Sequence, residues 1–161
     1  MGVLDERALL IERPVLEAML AACRAALPRE ACGLLGGKGA IASSHFEVAN
    51  VSDEPELRFE MDPGELEAVA AALEARGEEI VAVYHSHPRT SPLPSSADIR
   101  ACAWPEARYV IVGYAGGKEE VRAFRIVQAR RAVECRLLAV DRPRARAGRD
   151  WRGHGWRGAV R

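Results

Sequence analysis

A single α/β domain, a mixed β-sheet with helices packed on it, is predicted by three observations. Short apolar segments of strand character alternate with amphipathic segments in the order β-α-β-β-α-β-α-β-β-β. The segment 80–84 is apolar throughout, the mark of an interior strand covered on both faces. With 161 residues, 48% of them hydrophobic, the chain is long enough to bury one core.

Residues 7–12, RALLIE, read as the opening strand. A helix from Pro14 to Leu27 follows, with Val15, Leu16, Met19, Leu20, Cys23 and Leu27 on one face, Pro14 in the first turn and Pro28 as the stop. ACGLLGG then reads as a buried strand running into a glycine turn, with residues 40–51 as its hairpin partner. The second helix is predicted over Pro63–Arg76. Asp62 is its N-cap, Glu65 the capping-box partner and Gly77 the stop. After the interior strand comes a loop carrying Pro88, Pro92 and Pro94, then a helix opening at Ser95 and running to about Trp104. Strands at 108–114 and 120–127 flank a Gly116–Gly117 turn where positive φ is tolerated, and 132–140 supplies the last strand.

The division expected is a domain over residues 1–140 and an Arg/Gly-rich tail over 141–161. The tail lacks an apolar period and is expected to be a disordered, solvated extension. It holds seven Arg and two Asp, so it is +5 in a chain whose formal charge is zero. Neither nucleic acid nor an anionic membrane is therefore the expected partner, except that the tail, with Trp151 and Trp156 among its arginines, has the makings of a nucleic-acid contact. Cys23, Cys32, Cys102 and Cys135 are widely spaced without a C-x-x-C pair, and no signal-peptide pattern opens the chain as read; reduced, buried thiols are expected. No apolar run approaches the roughly 20 residues that span a bilayer, which makes a cytoplasmic protein the expectation.

YHSHPRTSPLPSSAD, residues 84–98, carries the chemistry. His85 and His87, two apart at a strand's end, project to one side while Ser86 points away. Catalytic zinc usually takes three protein ligands and keeps one position open, and Asp98 is the natural third. Ser95 and Asp98 also read as N-cap and capping-box partner of a helix start, which would hold that carboxylate rigidly. The plain alternative for the histidines is a packed pair at the strand end.

H-S-H, seven residues, Ser95, two residues and Asp98 resemble the H-x-H-x7-S-x-x-D pattern of the JAMM (MPN-plus) zinc metalloproteases, with the same spacing. PREACGLLGG, residues 28–37, resembles that family's glutamate segment, and the element order over residues 7–140 looks like its cytidine-deaminase-like fold. The tail lies outside the resemblance. The resemblance implies Zn²⁺ bound by His85, His87 and Asp98, Glu30 as general acid/base and Ser95 supporting the oxyanion. It also implies hydrolysis of the amide or isopeptide bond after a C-terminal Gly-Gly. In its compactness the chain resembles the bacterial members of that family, and this resemblance implies a ubiquitin-like or sulfur-carrier protein as substrate, its tail adding at a sheet edge. Residues 52–61 read as a strand-to-helix connection or as a flap over the site. His45 and His154 have no ligand partner at suitable spacing. The alternatives are a metal-free interaction scaffold of the related MPN type and a nucleic-acid-repair-associated protein using the basic tail; a homodimer fits any of these.

Overall fold

The computed structural model describes residues 7–142, and the tail beyond Arg142 lies outside the described residues. Seven strands and three α-helices form a mixed sheet, as the alternation predicts. In chain order these are β1 Ala8–Glu12, α1 Arg13–Ala26, β2 Cys32–Lys38, β3 Ile41–Val48, α2 Pro63–Arg76, β4 Glu79–His87, α3 Ser96–Arg100, β5 Arg108–Gly113, β6 Glu120–Val127 and β7 Arg131–Val140. The sheet also closes on itself, in the order β1-β3-β2-β4-β5-β6-β7, because β1 pairs with β7 in parallel from Ala8↔Arg136 to Glu12↔Val140. Periodicity does not reveal such a long-range pairing.

The central pairs position the site. Strand β2 runs antiparallel to β4 with Cys32 opposite His85, and β4 runs parallel to β5 with His87 opposite Gly113. Two apolar clusters cover the two faces of these strands. One joins Leu9, Ile11, Met19, Cys23, Tyr84, Val110 and Val112 under α1. The other joins Cys32, Leu34, Val83, Tyr109, Val69 and Leu73 under α2.

Local chemistry explains the boundaries. Pro63 opens α2 and Gly77 ends it at φ 63°, while the Asp62 side chain accepts from Glu65 N–H at 2.8 Å. The reciprocal half of the expected capping box is replaced: the Glu65 carboxylate accepts from Ala49 N–H at 2.6 Å instead, pinning the far end of the 50–61 loop to the helix. Helix α1 ends at Ala26, leaving Leu27 outside it and 41% exposed rather than on the buried face. Gly36 and Gly37 belong to β2, at irregularities in its pairing with both neighbours, and the turn falls at Gly39 with φ 61°. Helix α3 stops at Arg100, short of Trp104. Pro105 disfavours helical geometry at Trp104, whose N–H is instead accepted by the Tyr109 hydroxyl at 3.0 Å.

Gly33 marks the closest approach in this frame: a Cβ there would stand 2.3 Å from the Phe46 carbonyl oxygen and 2.5 Å from the Tyr84 ring. Both neighbours are fixed, one by the β2–β3 ladder and one by complete burial. Gly33→Ala is expected to lower stability by about 1–3 kcal/mol in denaturant unfolding, the cost of overpacking a filled core.

Candidate functional site

The register of β2 against β4 brings the chemistry together. Cys32 lies opposite His85, so two further steps along the antiparallel pair place Glu30 opposite His87. Ala31 and Ser86 continue the pairing past the end of β2: Ser86 N–H donates to the Ala31 carbonyl at 3.0 Å, and Ala31 N–H donates to Ser86 Oγ at 2.8 Å. The serine does point away from the histidines, as their alternation requires, and its hydroxyl secures the residue next to Glu30.

His85 and His87 lie within β4, which runs three residues beyond the expected Tyr84. Their Nε2 atoms stand 3.1 Å apart, and Asp98 Oδ2 lies 3.3 Å from each. Ligand atoms around a tetrahedral ion at bond lengths of about 2.0–2.1 Å are roughly 3.3 Å from one another, so this triangle has the dimensions of three vertices about one small divalent cation. The donor set, two imidazoles and one carboxylate, suits zinc and similar transition ions.

The surroundings hold each member of the triangle. His87 Nδ1 donates to the Ser91 carbonyl at 2.9 Å, which leaves Nε2 as the free lone pair. Gly113 makes that contact available: a Cβ there would lie 2.5 Å from Pro92 N and 2.7 Å from the Ser91 carbonyl carbon. His85, 1% exposed, is stacked by Phe59 at 4.6 Å between ring centroids. Asp98 sits at N3 of α3 in the expected capping box, its Oδ2 accepting from Ser95 N–H at 2.8 Å while Ser95 Oγ accepts from Asp98 N–H at 3.1 Å. One carboxylate oxygen thus caps the helix and faces both imidazoles.

The electrostatics follow from burial and from these partners. Burial raises the Asp98 carboxyl, but hydrogen bonds to His85 and His87 outweigh it and hold the group far below the usual carboxylate range. Burial lowers His85. Burial also opposes charge on His87, yet Asp98 and the Ser91 carbonyl together raise it. Glu30, 7% exposed, is raised to about 7, first by burial and then by the Asp98 charge, with His87 opposing.

Glu30, His87, Ser95 and Asp98 line a groove of about 500 Å³ whose other lining is mainly apolar, including Leu57, Phe59, Met61, Leu66 and Trp104, with Arg58, Glu60 and Thr90 as its polar members. The 52–61 segment therefore walls the groove as well as connecting β3 to α2. Of the other sequence candidates, His45 is a half-buried structural residue bonded to the Tyr84 hydroxyl at 2.8 Å, and His154 lies outside the described residues. All four cysteines are unpaired. Among the described residues no helix is long and apolar enough to cross a membrane. Sequence reasoning missed Ser91, Gly113 and Asn50. The first acts through its carbonyl and the second through a missing side chain, neither of which residue type reveals. Asn50, in N-x-S before a Pro-containing loop, carries a detectable turn signal.

Residues 12–127 match the family described as prokaryotic homologs of the JAB domain. The chain belongs to this prokaryotic branch of the JAMM/MPN family. The CysO-cysteine peptidase of Mycobacterium tuberculosis is 34% identical over 122 residues, 74% of this chain and 83% of that protein. The desampylase of Haloferax volcanii is 38% identical over 87 residues, 52% of this chain and 62% of the relative. A probable TtuB-protein conjugate cleaving protease of Thermus thermophilus is 35% identical over 116 residues, 72% of this chain and 74% of that protein. In structure the domain resembles a Desulfitobacterium hafniense protein with a TM-score of 0.73 at 29% identity, covering 83% of this chain and 94% of the other. It shares its fold with a JAB1/MPN domain protein of Archaeoglobus fulgidus, with a TM-score of 0.55 at 22% identity over 81% of this chain and 99% of the other.

Gly113→Ala is expected to push Ser91 away from His87 and weaken binding of added Zn²⁺ by about ten-fold or more in a competition titration, the usual cost of losing an outer-shell partner. Its melting temperature in the presence of chelator tests whether the change stays local.

Proposed function

We propose that the chain is a zinc-dependent peptidase that hydrolyses the amide or isopeptide bond after the C-terminal Gly-Gly of a ubiquitin-like or sulfur-carrier protein. The observation that supports it best is the Nε2, Nε2, Oδ2 triangle of His85, His87 and Asp98 with a buried Glu30 lining the same groove as His87 and Asp98. The relatives named CysO-cysteine peptidase and probable TtuB-protein conjugate cleaving protease support the substrate class.

Zinc held by the three ligands would supply Lewis-acid activation of water and carbonyl. Glu30 takes the proton of the attacking water and delivers it to the amine nitrogen as the C–N bond breaks. A carboxyl raised to about 7 is matched to exchanging that proton near neutrality. Ser95 Oγ uses a lone pair on Asp98 N–H, and its own proton is free to donate to the oxyanion of the tetrahedral intermediate. The apolar wall takes the carrier's tail and thins out water around the reacting bond. Because the strands close into a barrel, the backbone of residues 57–61 along the groove replaces an open sheet edge as the surface for that tail. Four unpaired cysteines fit a reducing cytoplasm.

The test is release of the attached group from carrier conjugates by wild type, by chelator-treated protein and by two variants. Glu30→Gln is expected to lower kcat by at least about 100-fold with zinc content unchanged. Ser95→Ala keeps the backbone bond to Asp98 Oδ2, so it too should retain zinc. It is expected to lose about 100-fold in kcat and only about 1 kcal/mol of stability. Protein with intact ligands that takes up no added zinc would overturn the reading and leave the interaction-scaffold alternative.

A further inference from the structure

Glu30 stands outside regular structure: α1 ends at Ala26 and β2 begins at Cys32. Its own backbone groups are therefore not fixed by a helix or by the ladder. They are gripped instead by the 50–61 loop. Glu30 N–H donates to the Pro55 carbonyl at 2.7 Å, and the Glu30 carbonyl accepts from Asn50 Nδ2 at 3.0 Å.

The same amide organises that loop. Asn50 Nδ2 also donates to the Arg58 carbonyl at 3.0 Å, with a longer contact to Pro55 at 3.4 Å, while Oδ1 accepts from Ser52 N–H at 3.1 Å and Glu60 N–H at 3.0 Å. Two protons and two lone pairs are all used, and exchanging N and O would reverse every contact, so the orientation is set by the network. Arg58 and Glu60 flank Phe59, the residue stacked on His85. One half-buried side chain thus touches the backbone beside the groove wall and the backbone of the proton-transferring residue.

We propose that Asn50 is a positioning residue for Glu30, holding the carboxylate and the Phe59 wall in one fixed relation to the ligand triangle. The inference rests on the reading of Glu30 as general acid/base. Only a side chain with donors and acceptors at this length serves: Asp keeps the acceptor bonds from Ser52 and Glu60 but loses the donations to the Glu30 and Arg58 carbonyls and turns an oxygen toward them, and Ala loses all four. Because a proton-transfer group displaced by about 1 Å forfeits on the order of 100-fold in rate, the effect belongs in kcat.

Asn50→Asp is the deciding variant. It is expected to bind zinc stoichiometrically, to lower kcat on a cleavable carrier conjugate by 10- to 100-fold with KM changed far less, and to lose no more than about three-fold further rate when combined with Glu30→Gln. Activity within two-fold of wild type, or a loss that multiplies in full on the Glu30→Gln background, would overturn it. Hydrogen exchange gives a second readout that needs no substrate. The Glu30 amide is expected to exchange at least about ten-fold faster in both Asn50→Asp and Asn50→Ala, and unchanged exchange would also overturn it. Should wild type cleave no conjugate, the peptidase reading fails while the exchange result still decides whether Asn50 holds Glu30.

Discussion

The site depends on the hydrogen-bonded pair between Ser86 and Ala31. The β2–β4 ladder ends at Cys32, and Glu30 lies two residues beyond it, in a stretch that would fray if nothing extended the pairing. Ser86 extends it twice, donating its N–H to the Ala31 carbonyl and accepting Ala31 N–H on Oγ, from a position with no solvent exposure. Shielded bonds of this kind are stronger than exposed ones, and an unpaired Ala31 N–H in this position would cost about 1–3 kcal/mol. The residue between the two histidines therefore has two constraints. It faces the interior beside Cys23, so it must be small, and it must supply an acceptor. With it, the strand carrying His85 and His87 and the segment carrying Glu30 form one frame.

That frame supports a cluster which is costly to assemble. His85 is fully buried, Glu30 nearly so, and Asp98 is drawn in with them. Burying ionisable groups beside one another opposes folding unless they are paired, and such clusters concentrate where chemistry needs shifted protonation. The two imidazoles are held differently. His87 is fixed through its far nitrogen by the Ser91 carbonyl, which selects its tautomer. His85 Nδ1 has no hydrogen-bond partner among the described residues, and its ring is held by packing under Phe59. The wall that shapes the groove is thus also part of the support of His85, which couples loop conformation to the geometry of the triangle.

Much of this was legible in the sequence because it rests on short-range rules. Helix α2 matches its predicted bounds since Asp62, Pro63 and Gly77 each act locally. The grouping of His85 with His87 was readable because alternation along a strand fixes which side chains share a face. What could not be read depends on contacts distant in sequence or made by backbone atoms. Barrel closure joins residues more than 120 positions apart, the Ser91 carbonyl is invisible to residue type, and Gly113 matters through the Cβ it lacks. Glu65 illustrates the limit of a motif. Its position three residues after Asp62 predicts a reciprocal cap, but the carboxylate reaches Ala49, because anchoring the loop satisfies it as well as capping would.

The division between rigid and adaptable parts follows from where the hydrogen bonds lie. The loop's base is bound by Asp62 N–H to the Ala49 carbonyl, Ala49 N–H to Glu65, Val51 N–H to the Glu60 carbonyl, and by Asn50 across its middle. Its tip reaches the proline loop through Glu56 with Arg89, at 2.9 Å between side chains 46% and 68% exposed. An exposed pair of that kind contributes less than about 1 kcal/mol and weakens with salt, so it cannot fix the loop against a binding partner. Leu57, at the tip, is 67% exposed beside the groove, while Phe59, nearer the base, is stacked on His85. The geometry beside the triangle is therefore set where Asn50 gathers the backbone of residues 55–60, and the loop presents the exposed side chain of Leu57 along the groove.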